Sequence, residues 1–406
     1  MGKERILCIS NDPISKDNAN GKFIRLYLDA FPDNSIYSFF ISEKYHFDYD
    51  SHFFNVTDSD LLNYLKKRGE HSKRSNNYSN AKNKTPLKYL ARYFLWRIIR
   101  WERKGFYEWI SNFNPTSIVC IMGSNPYLLR LAVELSKKYS LPLYLFIGED
   151  YPLKKYDFIS KKTKMSLSYK MFKKLLVKYA KKIMLQSNDI VYNSQALKNE
   201  YESLFKIKKG IVIYPLSDFS APIQEKHNKI KIILYAGNLR IGRSSELVKI
   251  AKHIKQENIG IDFLVCGSGE KDDIDLIKSC DAIKYLGLLN NEEMLKIMKD
   301  ADLLIHVEAN TEYNSVNTRF AFSTKIADFV VSQIPFFVYC PPNTLIEDYL
   351  RKYYPERVAT SEPELYSKLN LLFCDNSLRI NAECISNHTK ATNSEVIYKI
   401  IKRGEK

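Results

Sequence analysis

The stretch Phe322-Ser323-Thr324-Lys325-Ile326-Ala327-Asp328 carries the sharpest chemistry in the chain. Ser323 or Thr324 would cap a helix and leave its first N–H groups facing an anion. Lys325 and Asp328 are three apart, so they share a helix face. One would meet a phosphate, the other a ribose diol. Upstream, the apolar run 231–236 leads into Gly237-Asn238-Leu239-Arg240-Ile241-Gly242-Arg243. Glycines there permit a tight turn, and two arginines before a helix start suit a diphosphate. Gly267 and Gly269 follow the next apolar run, and Gly287 the one after it. All three turns fall at carboxyl ends of predicted strands, the side on which parallel sheets bind ligands. Glu149 and Asp150 end a further apolar run, where one would act on a hydroxyl or hold a sugar.

Positioning these residues requires an α/β frame. Short apolar runs at 5–10, 35–41, 117–122, 141–147, 189–192 and 210–214 alternate with helical patterns, and a second series follows at 231–236, 261–266, 282–286, 303–307 and 335–339. Such alternation predicts parallel sheets covered on both faces. The stretch 216–229 is polar and broken by Pro222, which makes it a linker. The expected layout is a Rossmann-like domain over 1–215, the linker, a second Rossmann-like domain over 230–385, and a C-terminal helix over 386–406 that packs back on the first domain. Two doubly wound domains would hold a ligand in the cleft between them.

Composition excludes several classes. With 406 residues, 45% hydrophobic and 27% charged, the chain is globular and long enough to bury sizeable cores. No apolar run reaches about 18 residues, so no spanning helix is expected. Seven scattered cysteines without C-x-x-C read as reduced thiols of a cytosol. The Asp-x-Asp pairs are what 46 acidic residues produce by chance, and the histidines show no metal spacing, so no metal is expected.

The net charge of +16 is concentrated: residues 61–104 carry +11 and residues 151–182 carry +10. On a helical wheel over 85–104, Leu87, Leu90, Ala91, Phe94, Leu95, Ile98 and Trp101 form an apolar face. Arg92, Arg97, Arg100 and Arg103, with Tyr89, Tyr93 and Trp96, form the other. A second basic helix turns Phe172, Leu176, Tyr179 and Ile183 to one side. Each would pack its apolar face on the core. The pair would also suit an anionic membrane surface, with aromatic anchors at the headgroups. No helix-turn-helix, zinc knuckle or RNP signature supports nucleic-acid binding.

On these residues the second half resembles the nucleotide-sugar domain of family 4-like bacterial glycosyltransferases of the GT-B fold, which build surface polysaccharides. The residues that carry the resemblance are Ser323-Thr324-Lys325-Ile326-Ala327-Asp328-Phe329 followed by Pro335, together with Gly237-Asn238-Leu239 and Arg243. The resemblance implies Asp328 on the donor ribose, and Arg243, Arg240 and Lys325 on the diphosphate. It places Gly237, Asn238, Gly267, Gly269, Gly287, Ser323 and Thr324 around the donor. The loop 11–21 resembles the family's first loop and makes Gly21 and Arg25 candidates for the acceptor. Two departures stand out. Asn238 occupies a place where arginine is usual, and the family's second carboxylate falls on Phe320, for which Glu308 or Glu312 would substitute.

The implied activity is metal-independent transfer of a hexose from a nucleotide sugar, UDP-linked by preference, to a glycan or lipid-diphosphate-linked acceptor, with retention at the anomeric carbon. Asp150, Glu149 and Glu308 are the catalytic candidates. No resident cofactor is implied. The implied setting is capsule, exopolysaccharide or lipopolysaccharide synthesis on the inner face of a bacterial plasma membrane. A nucleotide-sugar epimerase of the same fold, or a non-catalytic nucleotide-sugar or nucleic-acid binder, is the alternative.

Overall fold

A computed structural model describes residues 4–15, 19–43, 52–65, 85–99, 101–103, 105–162, 164–219, 230–257 and 260–402. The chain divides into two compact units, Met1–Tyr214 with Ser394–Lys406, and Pro215–Asn393. Residues 220–229 of the linker lie outside the described residues.

In chain order the first unit runs β1 (Ile6–Ser10), α1 (Ala19–Leu28), β2 (Ile36–Phe40), β3 (His52–Asn55), α2 (Asp58–Leu65), α3 (Pro86–Ile98), α4 (Phe106–Phe113), β4 (Ser117–Ile121), α5 (Pro126–Tyr139), β5 (Leu143–Ile147), α6 (Leu167–Gln186), β6 (Asp189–Tyr192), α7 (Gln195–Phe205) and β7 (Ile211–Val212). Its seven strands are all parallel, in the order β3-β2-β1-β4-β5-β6-β7. The central strands β1 and β5 are buried along their whole length, as a sheet covered on both faces demands. Side-chain caps start the helices: Thr85 accepts from Lys88 N, Asn125 from Tyr127 N and Ser166 from Tyr169 N.

The second unit runs β8 (Ile232–Ala236), α8 (Arg243–Glu257), β9 (Asp262–Cys266), α9 (Lys271–Lys278), β10 (Lys284–Gly287), α10 (Asn291–Asp300), β11 (Leu303–Val307), α11 (Glu312–Thr318), α12 (Thr324–Ser332), β12 (Phe336–Tyr339), α13 (Leu345–Tyr353), β13 (Val358–Ala359), α14 (Glu362–Cys374) and α15 (Ala382–His388). Its parallel order is β10-β9-β8-β11-β12-β13. The order reverses between β8 and β11, which makes their carboxyl ends a topological switch point. Helix α16 (Lys390–Lys402) follows. Its last turns belong to the first unit, where Tyr144 Oη donates to Ile401 O at 2.7 Å and Tyr398 meets Phe31.

Two strands escaped the hydropathy pattern. β3 has four residues with an exposed start, and β13 has two residues, both too short to show a period. The wheel of α3 is also corrected. Tyr93 and Trp96 are buried, whereas Leu87, Phe94 and Ile98 are exposed. Tyr93 Oη reaches Tyr179 Oη at 2.9 Å, and Trp96 Nε1 donates to Asp58 Oδ1 at 2.7 Å. With their polar tips satisfied, the large rings bury more area than the aliphatic face would.

Candidate functional site

The second unit gathers its chemistry where β8, β9 and β11 end. Gly237 follows β8 and Gly267 follows β9, and these two backbones nearly touch. A Cβ on Gly267, whose φ is +137°, would lie 1.7 Å from Gly237 O. Gly237 N donates to Cys266 O at 2.9 Å, Gly267 N to Gly287 O at 2.8 Å and Leu239 N to Ser268 O at 2.8 Å, tying the three turns together. Lys325, in the first turn of α12, fills the space above Gly237: a Cβ there would stand 2.3 Å from its Nζ. Helix α12 buries Ile326, Ala327, Phe329, Val330 and Val331, which leaves Lys325 and Asp328 on its half-exposed side. Ser323 precedes the helix without a side-chain cap bond. Asp328 Oδ1 accepts from Ser217 Oγ at 2.7 Å.

Arg243 opens α8 and forks onto Glu308 beyond β11. Its Nη2 donates to Oε1 at 2.7 Å and to Oε2 at 2.6 Å, and its Nε to Oε2 at 3.0 Å. Strand alternation puts His306 and Glu308 on one face. His306 Nε2 lies 3.3 Å from Glu308 Oε1, off the line of a hydrogen bond, and neither ring nitrogen has a hydrogen-bond partner. The preceding turn is held in an unusual backbone state. Ile241 has φ +64°, which β-branched residues avoid, and Asn314 Nδ2 donates to its carbonyl at 3.1 Å.

The charges interlock. Burial, and next the charge of Arg243, push the Lys325 ammonium down to about 8, while Glu308 and Asp328 pull it back. Burial alone would raise Glu308, but His306 and Arg243 outweigh it and hold the carboxyl at about 2. Burial also drives His306 down, so its ring is neutral near pH 7. Compensation of the Glu308 charge therefore rests on Arg243. At neutral pH Lys325, Arg243 and Glu308 together sum to one net positive charge, the sign a diphosphate needs, with Asp328 a helical turn away.

In the first unit, Glu149 and Asp150 follow β5. Asp150 Oδ1 is 2.7 Å from Lys154 Nζ, and both side chains are buried. Tyr201 Oη donates to Glu149 O at 2.8 Å. Protein atoms crowding the Glu149 carboxyl push it up to about 7, and the Asp150 charge adds to this. By surface area its side chain is nevertheless exposed, so solvent reaches the group.

No family model matches the chain, and no curated protein matches it. Solved structures do. Anabaena HepE in complex with UDP and glucose aligns with a TM-score of 0.61 at 11% identity, over 98% of this chain and 99% of that one. The apo lipopolysaccharide outer core galactosyltransferase WaaB aligns at 0.57 and 13%, with the same coverages. UDP-N-acetylglucosamine 2-epimerase from Rickettsia bellii aligns at 0.52 and 8%, over 99% and 97%. The fold is GT-B.

In this GT-B chain, Gly237, Arg243, Gly267, Gly287, Glu308 and Lys325 come together in one neighbourhood. Asp328 sits a turn along α12 from it. Other candidates take local duties. Asn238 Oδ1 accepts from Arg240 N at 2.8 Å, and its carbonyl accepts from Tyr235 Oη at 2.7 Å, so it shapes the turn. Arg240 pairs with Glu270 at 2.8 Å on the surface. Gly269 packs beside Leu239 and Asp273, and Thr324 opens α12. In the first unit, Gly21 is pressed onto the backbone of Pro13 and Ser15, and Arg25 lies 3.8 Å from Asp29. Glu312 opens α11, and Phe320 lies beneath the Arg319 guanidinium.

His306, which the sequence reads as a strand-end histidine more often structural than functional, stands against Glu308 in the site. Tyr235 and Ile241 were not among the sequence candidates, and nothing in the pattern marks them. Among the described residues, no group of His, Cys, Asp and Glu could hold a metal ion, and no helix is long and apolar enough to cross a membrane.

Proposed function

We propose that the chain is a glycosyltransferase that moves a hexose from a nucleotide sugar, with UDP as the favoured carrier, to a glycan or lipid-diphosphate-linked acceptor. The observation that carries the reading is the cluster at the β8, β9 and β11 ends. A net positive charge from Lys325, Arg243 and Glu308 stands beside two glycines that let the β8 and β9 turns close on each other and on Lys325, with a carboxylate, Asp328, one helical turn away.

In this reading Lys325, Arg243 and backbone N–H groups take the diphosphate, and Asp328 takes the ribose hydroxyls. As the bond from the anomeric carbon to the diphosphate oxygen breaks, charge grows on that oxygen. Lys325 and Arg243 are already in place to stabilise it, as a metal ion would. The acceptor oxygen bonds to the anomeric carbon on the face the diphosphate leaves, as retention requires, and its proton passes to a base. Glu149 is the first candidate, since solvent reaches its carboxyl and its pKa lies near working pH. Asp150 is engaged by Lys154. Glu308 holds Arg243 rather than meeting the reacting atoms. Retention at the anomeric carbon, synthesis of capsule, exopolysaccharide or lipopolysaccharide, and a place on the inner face of a bacterial plasma membrane complete the proposal.

The test is a panel of nucleotide sugars incubated with the protein, with and without bacterial lipid and glycan extracts. Free nucleoside diphosphate is measured, and the sugar is followed by NMR. Acceptor-dependent release from one donor supports the transferase. The epimerase fold relative motivates the second arm. Donor isomerised or consumed without any acceptor would replace the transferase with an epimerase.

A further inference from the structure

The segment that opens the second unit is bonded to the carboxylate Asp328. Ser217 is fully buried. Its hydroxyl accepts from Phe219 N at 3.0 Å and donates to Asp328 Oδ1 at 2.7 Å. A serine hydroxyl has one proton. With a lone pair engaged by the Phe219 N–H, that proton is committed to Asp328. Ser217 is itself clasped by the end of α15. Its N–H donates to His388 O at 2.9 Å, and His388 Nδ1 meets Pro215 O at 2.7 Å. A carbonyl only accepts, so Nδ1 carries the hydrogen, and Nε2 accepts from Tyr349 Oη at 3.0 Å. Burial pushes the His388 ring down to about 4, which keeps it in this neutral, fully paired form. Phe322, just before α12, packs its ring on His388 and Tyr349, with centroids 5.5 and 5.1 Å apart. All of these residues belong to the second unit.

We propose that Ser217 is a positioning residue that sets the plane of the Asp328 carboxylate and so makes the site selective for ribo- over 2′-deoxyribonucleoside diphosphates. The χ2 torsion of an aspartate is broad, so the side chain alone does not fix its carboxylate plane. Asp328 is only half-buried on α12, and the helix does not fix it either. A ribose presents its two hydroxyls in a fixed relation. A carboxylate already oriented accepts both without a further ordering cost. The Ser217 proton supplies that orientation, and the His388 clasp keeps Ser217 in place. A carboxylate has about four acceptor sites, so the bond from Ser217 and a diol can be accepted together. Removing the 2′-hydroxyl then loses a charge-assisted bond that the site is built to make. The inference rests on the ribose role proposed above for Asp328 and is independent of the sugar and the acceptor.

The experiment is calorimetric titration of the full chain with matched ribo- and 2′-deoxyribonucleoside diphosphates of uracil, cytosine, adenine and guanine. The variants are Ser217→Ala, Asp328→Ala and the two combined. The wild type should prefer the ribo form of its base by about tenfold or more. Ser217→Ala should hold the 2′-deoxy form within about twofold of wild type, while its preference for the ribo form falls below about threefold. In Asp328→Ala the preference should be gone, and adding Ser217→Ala should change nothing further. If Ser217→Ala does not unfold cooperatively, Ser217→Cys, of similar volume but a weak donor, takes its place in every comparison. Equal weakening of both forms by Ser217→Ala, or a further loss on the Asp328→Ala background, makes Ser217 merely structural and overturns the inference. A preference kept in Ser217→Ala but lost in Asp328→Ala overturns it and leaves Asp328 on the ribose. No nucleotide binding, no preference in the wild type, or a preference that survives Asp328→Ala overturns both the inference and the ribose role.

Discussion

Lys325→Met removes the ammonium at the centre of the second-unit cluster while keeping most of its bulk. The ammonium is held down to about 8 in the free site. A bound diphosphate favours the charged form, so binding takes up a proton once the pH passes 8. Affinity for a nucleoside diphosphate should therefore be flat from pH 6 to 7 and fall about tenfold between pH 7 and 9, as the ammonium fraction drops. Losing a hydrogen bond to a charged group costs about 1.5–3 kcal/mol, so Lys325→Met should bind roughly 10- to 100-fold more weakly at pH 7. Its affinity should also lack the wild-type decline above pH 8. Lys325→Arg stays charged throughout and should bind well at pH 9. The assay is calorimetric titration of UDP across this range on all three proteins. Titration of the nucleotide itself is common to the three and cancels in the comparison. A wild-type curve parallel to that of Lys325→Met refutes the reasoning, because the lysine would then carry no charge to the ligand.

Other consequences follow from the same geometry. Gly267→Ala sets a methyl group against Gly237 O at a φ that side chains avoid. It should destabilise by about 3 kcal/mol or more, read as a fall in thermal midpoint, and an unchanged midpoint would contradict the close approach. Glu308 is depressed to about 2 from 4.5, so its contribution to stability is full above pH 4.5 and is lost as pH falls towards 2. The stability gap between wild type and Glu308→Gln, read from thermal unfolding, should be wide at pH 7, on the order of 3 kcal/mol, and narrow in acid; a gap independent of pH would remove His306 and Arg243 from the explanation. If Glu149 is the base, kcat/KM rises with pH through about 7 as its carboxyl ionises. Glu149→Gln should then lose that limb and about 100-fold or more in rate. A limb that persists in the variant assigns the base elsewhere.

The alternation of strands and helices was plain because central strands such as β5 and β11 are unbroken apolar runs. The helix face of Lys325 and Asp328 was equally plain, since three-residue spacing is local. What stayed hidden was long-range. The fork from Arg243 to Glu308 joins residues 65 apart in sequence, and no periodicity encodes it. Asn238 read as a weakened arginine site, and its role in closing the turn appears only once its carboxamide is seen to accept from Arg240 N. The inward side of α3 was misread because hydropathy discounts Tyr and Trp. Asp58 and Tyr179, which satisfy their polar tips, lie on other elements.

The central claim is that the second unit holds a nucleoside diphosphate through Lys325, Arg243 and Asp328. Its most direct test is thermal unfolding of the full chain with a panel of nucleoside diphosphates and nucleotide sugars, repeated on Asp328→Ala. A ligand at about 100 times its dissociation constant adds roughly 2.7 kcal/mol to folding. The account predicts a rise in midpoint for one base family, recovered in Asp328→Ala only at about tenfold higher concentration or more. No rise with any nucleotide, in a chain that unfolds cooperatively, would contradict it.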